Sequence, residues 1–374
     1  ESRSSSSSYS KNPQQFSLLG IFFACKKVFT HKNMKGLSSC ITIETLSNSG
    51  NSMLRNLLAI LADGDFHSGE ELGAQLGVTR AAVWKQLKKL ESLNIPLSSV
   101  KGKGYRLSDA IELLDQPIIL SKIEGRLDCL EVLLNTESTN SYLLDKASDH
   151  MGKRYAVLAE KQESGRGRRG RIWVSPFGKN IYLSMLWSFS GGIGSLEGLS
   201  LVIAIAVERA LAELGVSDAK LKWPNDVYLN NKKLAGILLE VSGEYSGHCQ
   251  VVIGIGLNIK LSAYDAESID QPWAQLSEHL GDVDRNTIAA TMINNLIKAI
   301  EQFDKQGFES FKSYWTERDA FLNKEVDLIL PRDTRSGIAK GVNSKGELLL
   351  LTDKGLESIN AGELSLRLKN APTY

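Results

Sequence analysis

Cysteine is scarce in this chain and scattered where it occurs: Cys25, Cys40, Cys129 and Cys249 form no C-x-x-C pair. Neither a disulfide framework nor a zinc site is indicated. The five histidines show no ligand spacing either, so no metal site is expected. No apolar run approaches the length that crosses a bilayer. Net charge is almost missing, because 44 Lys and Arg face 43 Asp and Glu. Any binding to a polyanion must therefore come from a local patch. What remains, 42% apolar and 23% charged over 374 residues, is the material of an ordinary globular protein of two or three domains.

Acid is missing most conspicuously at the start. Residues 1–52 hold only Glu1 and Glu44, while seven of the first ten positions are Ser. Lys26, Lys27, Lys32 and Lys35 add a basic bias that a transit segment would share. The reading preferred here is an unstructured extension or upstream read-through, because patterned sequence begins at Met53.

From there Leu54, Leu57, Leu58 and Leu61 make one helical face, ended by Asp63-Gly64-Asp65. Ser68-Gly69-Glu70-Glu71 is a capping box that opens a second helix, closed by Gly77. Val78-Thr79 then leads into Arg80-Ala81-Ala82-Val83-Trp84-Lys85. Helix, short turn, helix is helix-turn-helix order, and Lys101 to Leu107 has the form of a wing. Between Thr79 and Arg106 seven Lys and Arg meet Glu91 alone. That local excess is what a DNA backbone asks for, although a winged helix used for protein contacts would also show it.

Gly165-Arg166-Gly167-Arg168-Arg169-Gly170-Arg171 sets three glycines and four arginines in seven positions with no acid among them. Repelling guanidiniums and loose glycines should prevent it from packing on itself. A mobile cationic lid, ordered by an anion such as phosphate or a nucleotide, is expected. A solvated basic loop is the plain alternative. Its G-x-G-x-x-G spacing is not a dinucleotide fingerprint, since Arg-Ile-Trp-Val-Ser-Pro follows where a helix would have to open. The Lys-Ser/Thr of a P-loop is also absent.

The region around this loop alternates strands (130–134, 155–162, 181–189) with helices (141–147 and the stripe from Leu199 to Leu214), then a hairpin over 233–261. A mixed sheet backed by helices is predicted. Short strands after Glu325 with turn signals read as a small barrel. Lys222-Trp223-Pro224-Asn225-Asp226 is either an Asx-turn or a set of ligand-orienting side chains. Lys233 heads the otherwise apolar strand Lys233-Leu234-Ala235-Gly236-Ile237-Leu238-Leu239-Glu240, as an edge charge or as a cation aimed into the sheet crevice. Gly254-Ile255-Gly256-Leu257-Asn258 allows either close backbone approach or a bulge. Glu137-Ser138-Thr139-Asn140 offers neutral donors and acceptors at a strand-to-helix junction, as a cap or as contacts to an uncharged polar ligand head.

Taken in order and spacing, Ser138-Thr139-Asn140, Gln162 with the Arg-Gly loop and Trp173, Lys222-Trp223-Pro224-Asn225-Asp226, Lys233 to Leu238 and Gly254 to Asn258 resemble the biotin–protein ligases. With the winged helix in front, the chain is similar to their bifunctional form, which also represses the biotin operon. The resemblance runs from about Met53 to Leu368. It implies an α/β (α+β) chain of four parts: an extension over 1–52, a winged helix-turn-helix over 53–112, a mixed-sheet catalytic domain of class II synthetase-like type over 113–323, and an SH3-like barrel over 324–370. It also implies that biotin and Mg²⁺-bound ATP form biotinyl-5′-AMP, whose biotinyl group passes to a Lys of the biotin carboxyl carrier protein.

By the same resemblance Ser138, Thr139, Asn140 and Gln162 hold the biotin head. Arg166, Gly167 and Arg168 flank its tail and the α-phosphate, with Lys233 at the reacting carboxylate; Lys233 and Arg168 are the implied catalytic pair. Arg169, Arg171, Trp173, Asn225, Asp226 and Asn258 fall on the ATP side, and Glu363 and Arg367 match terminal-domain positions that support it. Thr79, Arg80, Ala81, Ala82, Trp84 and Lys85 are implied at operator DNA, in a cytoplasmic protein that is a homodimer when it holds the adenylate. A biotin sensor without catalysis and a lipoate-type ligase are the competing readings.

Overall fold

The computed structural model describes residues 49–369, except 94, 96, 109, 244–246, 282–283, 331–332 and 363. The expectation for residues 1–48, that for Glu363 and most of the turn at 244–247 lie outside the described residues.

Helices α1 (Ser49–Leu61), α2 (Gly69–Leu76) and α3 (Arg80–Ser92) pack through Leu54, Leu57, Leu58, Leu61, Leu72, Val83, Leu87 and Leu90. The capping box forms: Ser68 Oγ accepts from Glu71 N–H, Gly77 closes the helix at φ 65°, and Thr79 caps α3 through Ala82 N–H. Strands β1 (Leu97–Val100) and β2 (Gly104–Leu107) form the wing. His67 adds a bridge to it by exchanging backbone bonds with Tyr105 at 2.9 and 2.8 Å. That contact requires Gly104, at φ 106°, because any Cβ there would meet the His67 backbone.

Next come α4 (Gln116–Ser121), β3 (Cys129–Leu133), α5 (Thr139–Lys146), β4 (Tyr155–Ala159), β5 (Ile181–Phe189), α6 (Leu199–Glu213), β6 (Lys220–Lys222), β7 (Asp226–Leu229), β8 (Lys232–Gly243) and β9 (Cys249–Leu257). The seven strands form one sheet in the order β3-β4-β5-β9-β8-β7-β6, parallel only between β3 and β4. Two short helices, α7 (Ala263–Ala266) and α8 (Ser277–Leu280), precede the long α9 (Arg285–Gln306) and α10 (Lys312–Arg318).

Strand alternation sorts the side chains of this sheet. Leu183, Met185, Ile253, Ile255, Ala235 and Ile237 turn into the core that holds α6 and α9. Tyr155, Val157, Leu186 and Val252 turn to the opposite face and pack with Leu143 of α5. α5 covers only part of that face, and the site lies on the remainder.

The tail is β10 (Glu325–Ile329), β11 (Thr334–Val342), β12 (Leu348–Thr352), β13 (Gly355–Ile359) and β14 (Ser365–Leu368). These pair antiparallel in the order β13-β12-β11-β10-β14. Val326, Leu328, Ala339, Leu348, Leu350 and Leu366 belong to the same continuous core as α6 and α9, so this sheet is fused to the central unit rather than tethered to it.

The winged helix is also fastened. Phe177, just past the Arg-Gly loop, is buried in the helical core of α1–α3. Lys161 Nζ donates to the Leu93 carbonyl that ends α3, at 3.0 Å, and Arg55 donates to the Leu114 carbonyl at 2.8 Å. Beneath, the fully buried Glu160 pairs with Arg285 at 2.8 Å and accepts Leu114 N–H at 2.6 Å. Arg285 donates onward to the carbonyls of Glu112 and Asn180. Removing one partner of such a buried pair leaves a stranded charge, so the clamp is sensitive to either substitution.

Candidate functional site

The floor of the site is bare backbone. On the exposed face of β8 and β9, Gly236 pairs with Gly256 and Leu238 with Gly254. The register is unbroken there, so these glycines mark close approach and not a bulge. A Cβ at Gly256 would run into the Trp173 indole, one at Gly236 would sit 3.0 Å from it, and one at Gly254 would run into Asn140. Trp173 thus lies flat on the sheet because the sequence places no side chain beneath it. Its indole N–H is buried without a hydrogen-bond partner among the described residues, a donor available to a ligand.

Above the floor is a cavity of about 420 Å³. One end is lined by Ser138, Thr139 and Asn140 at the start of α5, all buried, and by Gln162. Ser138 holds the N-cap position yet makes no capping hydrogen bond. Thr139 N–H and Oγ1 both donate to Gln162 Oε1, at 2.9 and 3.0 Å, and Gln162 Nε2 donates to Ser175 Oγ at 3.0 Å. Ser184 Oγ lies 2.7 Å from Thr139 Oγ1 and 2.6 Å from Asn140 Oδ1. This end is a fully neutral hydrogen-bonding wall, suited to an uncharged polar head.

The other end is cationic. Asp226 Oδ1 pairs with Lys233 Nζ at 2.7 Å, and Asp226 Oδ2 lies 3.7 Å from Lys222 Nζ. Burial alone would raise the Asp226 carboxyl, but Lys233 and then Lys222 hold it below the usual carboxylate range. Burial also pushes Lys222 below the ordinary lysine value, with Asp226 opposing and Arg171 and Arg367 adding to the fall. Arg168 is lowered mainly by burial, against Asp226. Arg168, Lys222 and Lys233 thus share one carboxylate, with Arg169, Arg171 and Arg367 also on the lining. Such a surplus of cations around one buried carboxylate is stabilised by a bound anion.

The Arg-Gly loop spans both ends, and its structure corrects the expectation that it cannot pack on itself. Gly167 N–H donates to the Arg171 carbonyl at 2.8 Å and Trp173 N–H to the Gly165 carbonyl at 2.8 Å. Arg166 bridges Ile172, and the tip turns through Arg169 at φ 60° and Gly170 at φ 72°. The guanidiniums avoid one another by diverging. Arg166 reaches Ser141 Oγ at 2.8 Å, whereas Arg168 reaches Asn225 Oδ1 at 3.2 Å and the Gly362 carbonyl at 2.5 Å.

Of the residues implied for ligand binding, Ser138, Thr139, Asn140, Gln162, Arg166, Gly167, Arg168, Arg169, Arg171, Trp173, Asn225, Asp226 and Lys233 all line this one cavity. Asn258 does not. It is buried behind the wall, where its amide donates to the Ala274 carbonyl at 3.2 Å. Sequence reasoning passed over Ser184, Ser175, Tyr228 and, Arg367 apart, the stretch from Leu364 to Leu368. A lone small polar residue in the run Ile181-Tyr182-Leu183-Ser184-Met185-Leu186 was the available signal for the first.

On α3, Thr79, Arg80, Ala81, Trp84 and Lys85 are exposed and Ala82 is half-buried. Trp84 is 56% exposed while Val83 and Leu87 face inward, so it stands on the outer face of this helix.

Three family models match the chain in series: an HTH domain over residues 54–106, the Biotin/lipoate A/B protein ligase family over 133–258, and the Biotin protein ligase C terminal domain over 321–367. The Bifunctional ligase/repressor BirA of Escherichia coli is 42% identical over 317 residues, spanning 85% of this chain and 98% of that protein. The Biotin--[acetyl-CoA-carboxylase] ligase of Paracoccus denitrificans is 35% identical, over 62% of this chain and 98% of its own length. Among solved structures, the biotin protein ligase from Aquifex aeolicus in complex with biotin and ATP aligns at TM-score 0.56 and 32% identity, covering 64% of this chain and 99% of that one. Helix-turn-helix, ligase unit and terminal domain follow one another here as they do along the whole length of the bifunctional relatives, and the chain belongs to the biotin protein ligases of the ligase/repressor kind.

Proposed function

We propose that the cavity activates biotin with ATP and passes it to a protein lysine, and that the winged helix in front represses transcription. The observation that carries this reading is the two-ended cavity: a neutral hydrogen-bonding wall and a cationic cluster joined under one Arg-Gly loop. Ser138, Thr139, Asn140 and Gln162 hold the biotin head. Lys233, at the junction, draws the carboxylate toward the α-phosphate. Attack there forms the acyl–O–P bond of biotinyl-5′-AMP and releases pyrophosphate. Arg168 and Lys233 stabilise charge as it builds on the phosphate oxygens, the place where fixed donors contribute most. Trp173, Arg169, Arg171, Asn225 and Asp226 face the nucleotide, with Arg367. The loop, by covering the anhydride, keeps water from it. An acceptor Lys amine on a biotin carboxyl carrier protein then attacks the acyl carbon, and AMP leaves.

The magnesium we assign to this step arrives with ATP. No group of three or more His, Cys, Asp or Glu able to hold a metal occurs among the described residues. Asp226 and Asp270 are carboxylates on the lining, and Mg²⁺ on phosphates needs only one or two. When bound, it would offset phosphate charge.

We assign residues 53–112 to DNA binding, 113–323 to catalysis and 324–370 to the terminal domain. Thr79, Arg80, Ala81, Ala82, Trp84 and Lys85 would lie at operator DNA, with a homodimer as the form that binds when the adenylate is held. A cytoplasmic location fits these partners, and no helix among the described residues is long and apolar enough to cross a membrane. The test is biotin-dependent exchange of pyrophosphate into ATP, followed by label transfer to a biotin carrier domain. Exchange without transfer would confine the activity to the first half-reaction. No exchange, with biotin still bound, would make the protein a sensor; preference for lipoate in the same assay would change the substrate.

A further inference from the structure

Glu240 ends the run that Lys233 heads, carries no role in the sequence reading, and does not line the cavity. It stands on β8 two residues after Leu238, on the same face, where its partner on β9 is Val252. Its two carboxylate oxygens go to different places. Oε2 accepts the Asn140 amide at 2.8 Å, and Oε1 meets Arg166 of the Arg-Gly loop at 3.4 Å. The Glu240 side chain is 19% exposed and that of Arg166 is 40%.

The Asn140 contact has an orienting effect. A carboxylate can only accept, so it forces the Nδ2 side of Asn140 toward itself and leaves Oδ1 for Ser184, at 2.6 Å. Ser184 in turn reaches Thr139, and Thr139 reaches Gln162. The amide orientation of Asn140, and with it the donor role of Ser184 toward Asn140, is thus set from the Glu240 end. The Arg166 contact works on the lid. Arg166 is the first arginine of the loop, and Ser141 and Glu240 are what its guanidinium reaches. One side chain therefore touches both the wall that reads the ligand head and the loop that covers the ligand tail.

We propose that Glu240 is a positioning residue that couples recognition of the polar head to closure of the Arg-Gly loop. It acts through Asn140 and Arg166 and does not touch the reacting atoms. When the pair with Arg166 is lost, the loop opens more often over the bound acyl-adenylate. Water then attacks the acyl carbon, the acyl–O–P bond breaks, and biotin and AMP leave without transfer. The inference rests on the biotin and ATP assignment of this cavity.

The experiment counts AMP released per biotin transferred to a carrier domain, together with the KM for biotin, in wild-type, Glu240→Gln, Glu240→Ala, Arg166→Gln and the double Glu240→Gln/Arg166→Gln protein. Glu240→Gln keeps the shape and an acceptor for Asn140 but loses the charge that holds Arg166. We expect about fivefold more wasted AMP, as fits the upper end for a part-exposed ion pair, with the KM for biotin within about twofold. Glu240→Ala also frees Asn140, and should raise that KM about tenfold. The double variant should waste no more AMP than Arg166→Gln alone, because the two residues act as one unit. Thermal unfolding of Glu240→Gln near that of wild type separates positioning from damage. Waste unchanged in Glu240→Gln, or effects that add in the double variant, would overturn the proposal. A wild-type protein without biotin-dependent exchange would instead sink the assignment of the cavity.

Discussion

Two parts of this molecule are rich in cations, and they use them in opposite ways. On the winged helix, Arg80, Lys85, Lys88, Lys89, Lys101 and Lys103 stand exposed. Lys88 pairs with Glu91 at 2.7 Å, with both side chains half in water. Charge held like this is screened, interchangeable and suited to a polyphosphate backbone from which counterions are released. In the cavity, Lys222 and Lys233 converge on the single carboxylate of Asp226 with Arg168 nearby, and burial lowers the pKa of Arg168 and Lys222. There each cation is held by named partners: Lys233 by Asp226, Lys222 by Asp226 and Tyr228, Arg168 by Asn225 and Gly362. Burial, not the number of positive residues, distinguishes a surface that attracts phosphate from a site that acts on it.

The contrast breaks most visibly at Lys233. Replacing it by Ala should lower biotin-dependent pyrophosphate exchange by about 10²–10³-fold, as when a single fixed donor is lost from a reacting oxygen. Retardation of non-specific DNA at low salt should not change. If neighbouring cations substitute for it and exchange falls only a few-fold, the cavity is no more directed than the surface.

Gly256→Ala probes the floor. Its methyl would run into Trp173, and an overpacked position of this kind costs about 1–3 kcal/mol. The KM for ATP should rise about tenfold, with the KM for biotin moving less, on the proposal that Trp173 faces the nucleotide. Equal rises in both would mean that the indole serves the whole cavity.

Lys85→Ala and Lys103→Ala, both exposed, should each weaken operator binding a few-fold and reduce the slope of log affinity against log salt by about 0.9. Adenylation rates should be unaffected. A slope that does not move would remove these lysines from the phosphate contacts.

The smallest effect concerns pH. His67 contacts Asp63 and Glu71, both at 3.0 Å. Burial by itself would lower its pKa, but the bonds to Glu71 and Asp63 outweigh that and raise it above 6.5. The charged form is therefore favoured by folding. Its contribution is complete below pH 6.5 and is lost as pH climbs through the raised value. Because both partners are half exposed, unfolding of the winged helix should fall by only about 1–2 °C across that range. His67→Gln should flatten the dependence; a slope of the opposite sign would mean that desolvation dominates.

How much of this was visible beforehand depended on whether the signal was local. The capping box at Ser68, the strand Ile181–Phe189 and the helix from Leu199 follow from short-range pattern, and the structure has them. β13 (Gly355–Ile359) and α10 (Lys312–Arg318) went unread, because Leu356 is exposed and α10 buries Trp315 without a long apolar stripe. The ligand-facing residues were legible as motifs, through resemblance. Their supports were not: Ser184 and Glu240 join Asn140 from strands 44 and 100 positions away in sequence, and nothing local announces such a meeting. The packing of the Arg-Gly loop was misjudged for a similar reason. Its charges are relieved by Ser141, Asn225 and Gly362, none of which is near it in the chain.

Gln162 and Lys161 are neighbours in the chain, and their side chains have different clients. One shapes the wall of the cavity; the other grips the last carbonyl of the helix whose outer face carries Trp84, at 3.0 Å. A displacement of this two-residue stretch would therefore have to stretch a hydrogen bond to the wall on one side or to the helix on the other.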